Sequence, residues 1–107
     1  MKTILFHERS IQTIDTYIDR YEAYFFDLFT DTGLFNEETI RENYMKEARN
    51  RRDDIFERII ARFSPEIVLG RTPENTLFLP WRSKVLFVTW QDEGEIRVIT
   101  DLKIYED

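Results

Sequence analysis

The spacing at which apolar residues recur changes once along this chain, and that change constrains the fold more than any other feature. Ile11, Ile14, Ile18, Tyr21, Phe25 and Leu28 succeed one another at intervals of three and four, with Asp15, Asp19, Arg20, Glu22 and Asp27 between them. That period belongs to a helix with one buried stripe. Tyr17, Tyr24, Phe26 and Phe29 widen the stripe, and Thr30-Asp31-Thr32-Gly33 offers a stop with a glycine free to take the left-handed cap. The helix is expected to end near Phe29. Asn36, with Glu37 and Glu38 after it, has the chemistry of a second start: an amide that accepts from exposed N–H groups, and carboxylates at the positive end of the dipole. Ile40, Tyr44, Ala48, Ile55, Phe56, Ile59, Ile60 and Phe63 then mark an apolar face as far as Ser64-Pro65, interrupted by Arg51 and Arg52.

Beyond residue 75 the period shortens to that of strands. Asn75–Leu79, Lys84–Trp90 and Glu95–Asp101 are strand-like, with Gln91-Asp92-Glu93-Gly94 as a tight reversal. Val85-Leu86-Phe87-Val88 is apolar in both alternating sets, which predicts a central strand covered on both faces; Arg97 and Asp101 put charge on one face of the strand after it. Pro80, just past the first of these strands, fits an edge or a strand end. A further short strand, Lys2 to Phe6, leads into the polar cluster His7-Glu8-Arg9-Ser10. The expected fold is α+β: an N-terminal strand, a two-helix antiparallel hairpin, then a three-stranded antiparallel meander. With 107 residues and no linker-like tract, residues 1–107 are read as a single domain.

Composition removes several kinds of chemistry. There is no cysteine, so disulfides, thiolate zinc sites and thiol nucleophiles are excluded together. The lone histidine, His7, sits at a strand-to-helix junction where a capping or surface role explains it, so no metal or other cofactor is expected. Gly33, Gly70 and Gly94 are isolated and form no phosphate-binding loop. No window is apolar enough to span a bilayer and no leader pattern is visible, so a cytoplasmic protein without membrane contact is expected. The net charge of −6 argues against simple, sequence-independent adhesion to nucleic acid, and no direct sequence-specific DNA binding by the chain alone is expected. Charge is uneven, however: Lys and Arg against Asp and Glu number 3 and 8 over residues 1–40, 7 and 5 over 41–62, and 5 and 8 over 63–107.

The candidate functional residues are basic and aromatic. Arg82 and Lys84 flank a strand start, Arg97 lies in mid-strand, and Trp81, Trp90 and Tyr105 belong to the same sheet. Together they could grip phosphate or an acidic protein patch while rings stack on bases, unless the tryptophans are core and the cations merely exposed. Arg49, Arg51 and Arg52 could form a docking patch or pair within the helix with Glu47, Asp53 and Asp54.

Three stretches resemble the RelE/ParE superfamily of toxin-antitoxin toxins, a bacterial family. Thr3-Ile4-Leu5-Phe6-His7-Glu8-Arg9-Ser10-Ile11 with Ile14-Asp15-Thr16-Tyr17-Ile18 is similar to that family's first strand and helix. Ile55 to Phe63, Ser64-Pro65 and Gly70-Arg71 resemble its second helix with the Pro and Gly-Arg usual after it. Lys84 to Trp90, the Asp92-Glu93 turn and Ile96 to Thr100 resemble its closing hairpin. The resemblance implies the order β-α-α-β-β-β and a toxin that binds a macromolecular target, DNA gyrase or the ribosome, and is neutralised by a partner antitoxin protein. In ribosome-dependent mRNA endonucleases of the family, Lys84 would stand near the third-strand Arg, with Arg82 as substitute if the register slips, and Tyr105 would be the late Tyr. The acid balance and thin cation set favour a non-nucleolytic member, closer to the gyrase-binding branch. The reading outside the family is a non-enzymatic immunity-type or adaptor module whose acidic surface meets a basic partner.

Overall fold

Residues 1–30, 33, 36–68 and 75–106 are described in a computed structural model of the chain. Along the sequence run β1 (Thr3–Phe6), α1 (Glu8–Thr30), α2 (Glu37–Phe63), β2 (Thr76–Trp81), β3 (Lys84–Glu93) and β4 (Ile96–Glu106). The sheet order is β1-β4-β3-β2, with β1 parallel to β4 and the other two pairs antiparallel. The fold is thus α+β, with two helices beside one four-stranded mixed sheet.

The local chemistry read from the sequence operates at several joints. Asn36 caps α2, its Oδ1 accepting from the Thr39 N–H at 2.8 Å. His7 Nδ1 accepts from the Arg9 N–H at 3.1 Å in the first turn of α1. Gly33 has φ of +65°, the left-handed conformation expected after α1; Asp31 and Thr32 lie outside the described residues, as do Gly70 and Arg71.

Several boundaries differ from expectation. β3 runs on through Asp92 and Glu93, so the reversal is Gly94-Glu95, with Gly94 at φ +63°. β2 continues through Pro80 to Trp81, and the next reversal is Arg82-Ser83, with Arg82 itself at φ 54°. Proline fits inside β2 because that strand is the sheet edge. A bulge between Thr89 and Trp90 leaves Thr100 of β4 without a cross-strand partner, and its hydroxyl donates instead to the Thr89 carbonyl at 3.2 Å.

Both helices pack on one face of the sheet. Ile14 of α1 and Ile55, Ile59 and Phe63 of α2 meet Leu79, Trp81, Leu86, Val88, Trp90, Ile99 and Leu102 in one core. Burying these side chains is the main favourable term, about 1.5–3 kcal/mol for each large apolar residue. Ser10 ties α1 down, its buried hydroxyl donating to the Ile99 carbonyl at 3.0 Å. The expectation that Val85-Leu86-Phe87-Val88 would be covered on both sides fails: Leu86 and Val88 are fully buried, whereas Val85 and Phe87 are only partly covered. Phe87 instead packs on its neighbour Phe78, with ring centroids 4.8 Å apart.

The helices outrun the sheet. At 1.5 Å per residue, α2 with its 27 residues spans roughly 40 Å, and the molecule measures 53 × 24 × 19 Å. The overhang has an aromatic cluster of its own, in which the Tyr44 ring meets Tyr21, Phe25 and Phe26 at centroid distances of 6.4, 6.0 and 5.9 Å. Of the residues that widen the α1 stripe, Phe26 joins this cluster, whereas Tyr17 packs on Trp81 of the sheet with ring centroids 5.7 Å apart.

Candidate functional site

A concavity of about 950 Å³ opens between α1, α2 and the end of the sheet where β3 starts and β4 finishes. Its cations are Arg9, Arg20, Arg51 and Lys84, its rings Tyr17, Tyr21 and Tyr24, and its one acid Glu106. The lining thus carries three net positive charges in a chain of net charge −6. Arg9, Thr13, Thr16, Arg20 and Tyr24 recur at steps of three and four, so the polar face of α1 forms one wall. A second depression of about 480 Å³ shares Tyr21, Tyr24 and Arg51 with the first and continues along the hairpin to Phe25 and Leu28.

Arg51 is the hinge of this surface. Its Nη1 donates to the Tyr17 hydroxyl at 2.9 Å and its guanidinium carbon lies 4.2 Å from the centre of the Tyr21 ring. Burial works to lower its pKa, but the facing Tyr17 and Tyr21 oxygens outweigh that and hold it above the ordinary arginine value. Its Nε is buried 3.3 Å from Glu47, an ion-pair distance without hydrogen-bond geometry. Lys84 sits at the far wall, with Nζ 3.1 Å from Glu106 Oε1 and 5.8 Å from the Tyr17 ring centre. Glu106 is 85% exposed, so that pair is screened and yields readily to a competing anion. Among the described residues, Arg9 and Arg20 are exposed and have no ion pair.

The structure distributes the residues singled out from the sequence among different tasks. Lys84 and Arg51 converge in the cleft. Arg52 does not: it bridges the hairpin, Nη1 to Asp15 Oδ1 at 2.6 Å, rather than pairing within its own helix. Arg49 is exposed on α2 outside the lining. Trp81 is core, 4% exposed, with its indole N–H donating to Asp54 at 3.1 Å. Arg82 packs back on the same elements, 3.5 Å from Asp54 and 5.3 Å from the Trp81 ring centre. Trp90 is core as well, against Phe63.

Arg97 corrects the reading of a surface cation. It is 1% exposed and lies at the opposite end of β3 from Lys84, paired with Asp92. Its guanidinium donates to both Asp92 oxygens, at 2.6 and 3.2 Å, and to the carbonyls of Phe63, Pro65 and Glu66 at 2.6, 2.7 and 3.0 Å. Arg97 therefore clamps the C-terminal end of α2 to the sheet and cannot grip a ligand with Lys84.

Tyr105 is separated from Lys84 in a different way. It faces Val85 across the ladder while Lys84 faces Glu106, so strand alternation puts the two side chains on opposite faces of the sheet. A lysine and a tyrosine so placed cannot act on one phosphate. The cleft offers donors and ring faces, and Glu106 is the one carboxylate that lines it. Among the described residues, no group of His, Cys, Asp or Glu is arranged to hold a metal, and no helix is long and apolar enough to cross a membrane. Such a surface presents hydrogen-bond donors and ring faces to an anionic, partly planar segment.

Sequence reasoning missed Arg9, Arg20, Tyr17, Tyr21 and Tyr24. The signal was present as the regular recurrence on the polar side of α1, but tyrosines at helical spacing read as a widened core stripe. No family model matches this chain, and neither the curated proteins nor the solved structures include a match to it.

Proposed function

We propose that this chain is a RelE/ParE-like toxin of the binding kind, which arrests its host by occupying a macromolecular target and is neutralised by a partner antitoxin. The observation that carries the reading is the cleft: four cations and three tyrosines gathered on one side of an otherwise strongly acidic molecule. Outside that lining the chain is more acidic still, which repels bulk polyanions and leaves one place where an acidic segment docks. The element order and the β1-β4-β3-β2 sheet are consistent with the expected architecture. The placement of Lys84 and Tyr105 on opposite faces favours target binding, of the gyrase-directed type, over cleavage of ribosome-bound message. The toxin acts in the cytoplasm, where such targets are.

The reading is tested by expressing the chain alone, from a tight promoter, in a bacterium. Growth stops within a few generations, while total message stays intact on the ribosome. Fragmented message would replace binding by nuclease action. Normal growth at high expression would replace the toxin by an adaptor or immunity-type module that meets a basic partner with its acidic surface.

A further inference from the structure

The face of the sheet turned away from the helices is the second surface the fold leaves open. Strand alternation and register place Leu5 of β1, Ile96, Val98 and Tyr105 of β4, Val85 and Phe87 of β3, and Phe78 of β2 on it. Leu5 is 48% exposed, Phe78 52%, Tyr105 49% and Ile96 38%. Phe78, Phe87, Val85 and Tyr105 gather at one end of this face and Leu5, Ile96 and Val98 at the other, with polar residues between, and exposed apolar groups so placed mark an interface.

Charge on this face says what covers it. Asp101 and Lys103 are two residues apart on β4, on this same face, and stand opposite Thr89 and Phe87 at its centre. A two-fold axis lying between two such faces, parallel to the sheets and at right angles to β4 above Leu102, brings Asp101 of one copy over Lys103 of the other, and the reverse. The same rotation sets the Tyr105 end of each β4 over the Val98 end of its mate. An acidic residue and a basic residue equidistant from one point are complementary to themselves under that rotation, which is the requirement of an isologous interface.

Area is sufficient for a weak contact. Strands of 4, 6, 10 and 11 residues, at about 3.3 Å per residue and about 4.8 Å between strands, present a face of roughly 500 Å². Stacking two such faces removes on the order of 1,000 Å², the lower limit for a specific association. We propose that this open sheet face is the interface of a symmetric homodimer, in which the two β4 strands lie antiparallel over one another and reciprocal Asp101–Lys103 ion pairs fix the register. The proposal is independent of the function of the cleft, which lies on the helix side.

Sedimentation of the full chain over a dilution series from about 1 μM to 1 mM tests it. The mass rises from 13.1 kDa to twice that value. Phe78→Glu abolishes the rise, and Asp101→Lys weakens association at least about tenfold by facing two lysines across the axis. The exchange Asp101→Lys with Lys103→Asp restores it to within about threefold of wild type. These positions are at the surface, and circular dichroism verifies that each variant is folded; if Phe78→Glu does not fold, the charge exchange decides. A monomer at every concentration overturns the proposal. So does a dimer indifferent to Phe78→Glu, or one that the charge exchange fails to recover.

Discussion

Replacing Arg97 by methionine isolates the contribution of the clamp between sheet and helix. The substitution roughly keeps the volume of a side chain that is 1% exposed and removes all five hydrogen bonds. The two bonds to Asp92 weigh little in the balance, since that carboxylate is 40% exposed and rehydrates once released. The carbonyls weigh more: that of Phe63 ends α2 in the core, and those of Pro65 and Glu66 belong to the bend just beyond it. A buried acceptor left without a donor costs about 1–3 kcal/mol, and part of the total is offset because the guanidinium no longer has to be desolvated. The net loss is therefore about 3 kcal/mol, which for a domain of this size lowers the melting temperature by about 12 °C or more. Urea unfolding monitored by tryptophan fluorescence reads it directly, because Trp90 stacks on Phe63 at 5.0 Å beside the clamp. With a slope of about 1.5 kcal/mol/M the midpoint falls by about 2 M. Asp92→Asn costs about 1 kcal/mol or less by the same reasoning. A midpoint unchanged by Arg97→Met, or a larger effect from Asp92→Asn, would show that the carbonyls are not what the guanidinium holds.

The Asp92 pair also makes stability depend on acid. The Arg97 hydrogen bond, against a smaller opposing effect of burial, holds the Asp92 carboxyl below the usual aspartate range. Its contribution is thus complete above the unfolded value of about 3.9 and is lost as pH falls through the lower folded value. Urea midpoints measured from neutrality downwards are expected to converge for wild type and Asp92→Asn in that acid window, and a constant gap between them would contradict the assignment. Gly94→Ala meets no atom within 4 Å but forces an alanine to φ +63°. A loss of about 1 kcal/mol in chemical denaturation is expected, and an unchanged midpoint would show that the β3–β4 turn relaxes at no cost.

How much of this was legible in the sequence depended on whether a feature is local. The stripe of α1 as far as Phe25, the Asn36 cap and the two closing strands are dictated by neighbours along the chain and form as expected, whereas Leu28 is half exposed and the bulge at Thr100 turns Asp101 to the face opposite Arg97, with which alternation groups it. Arg97 misled because alternation assigns it to the same set as Ile99, and a guanidinium there reads as a solvent-facing charge. What buries it is the arrival of three carbonyls from residues 63, 65 and 66, a tertiary event that no window around residue 97 contains. Phe87 misled in the opposite sense: an apolar side chain predicted a second covering layer, whereas a lateral contact with Phe78 shields it in part. The cleft was half visible. Arg51 stood out as a break in an apolar face and Lys84 as a cation at a strand start, but only the hairpin's fold onto the sheet brings Arg9 and Arg20 of the α1 surface to join them.

The most direct test of the binding role is a comparison of growth under induction between wild type and the double variant Arg20→Glu/Lys84→Glu, with both proteins verified as folded and equally abundant. Wild type is predicted to arrest the culture and the charge-reversed cleft to leave it growing at the uninduced rate. Equal arrest by both, or growth with both, would contradict a role for the cleft in seizing the target.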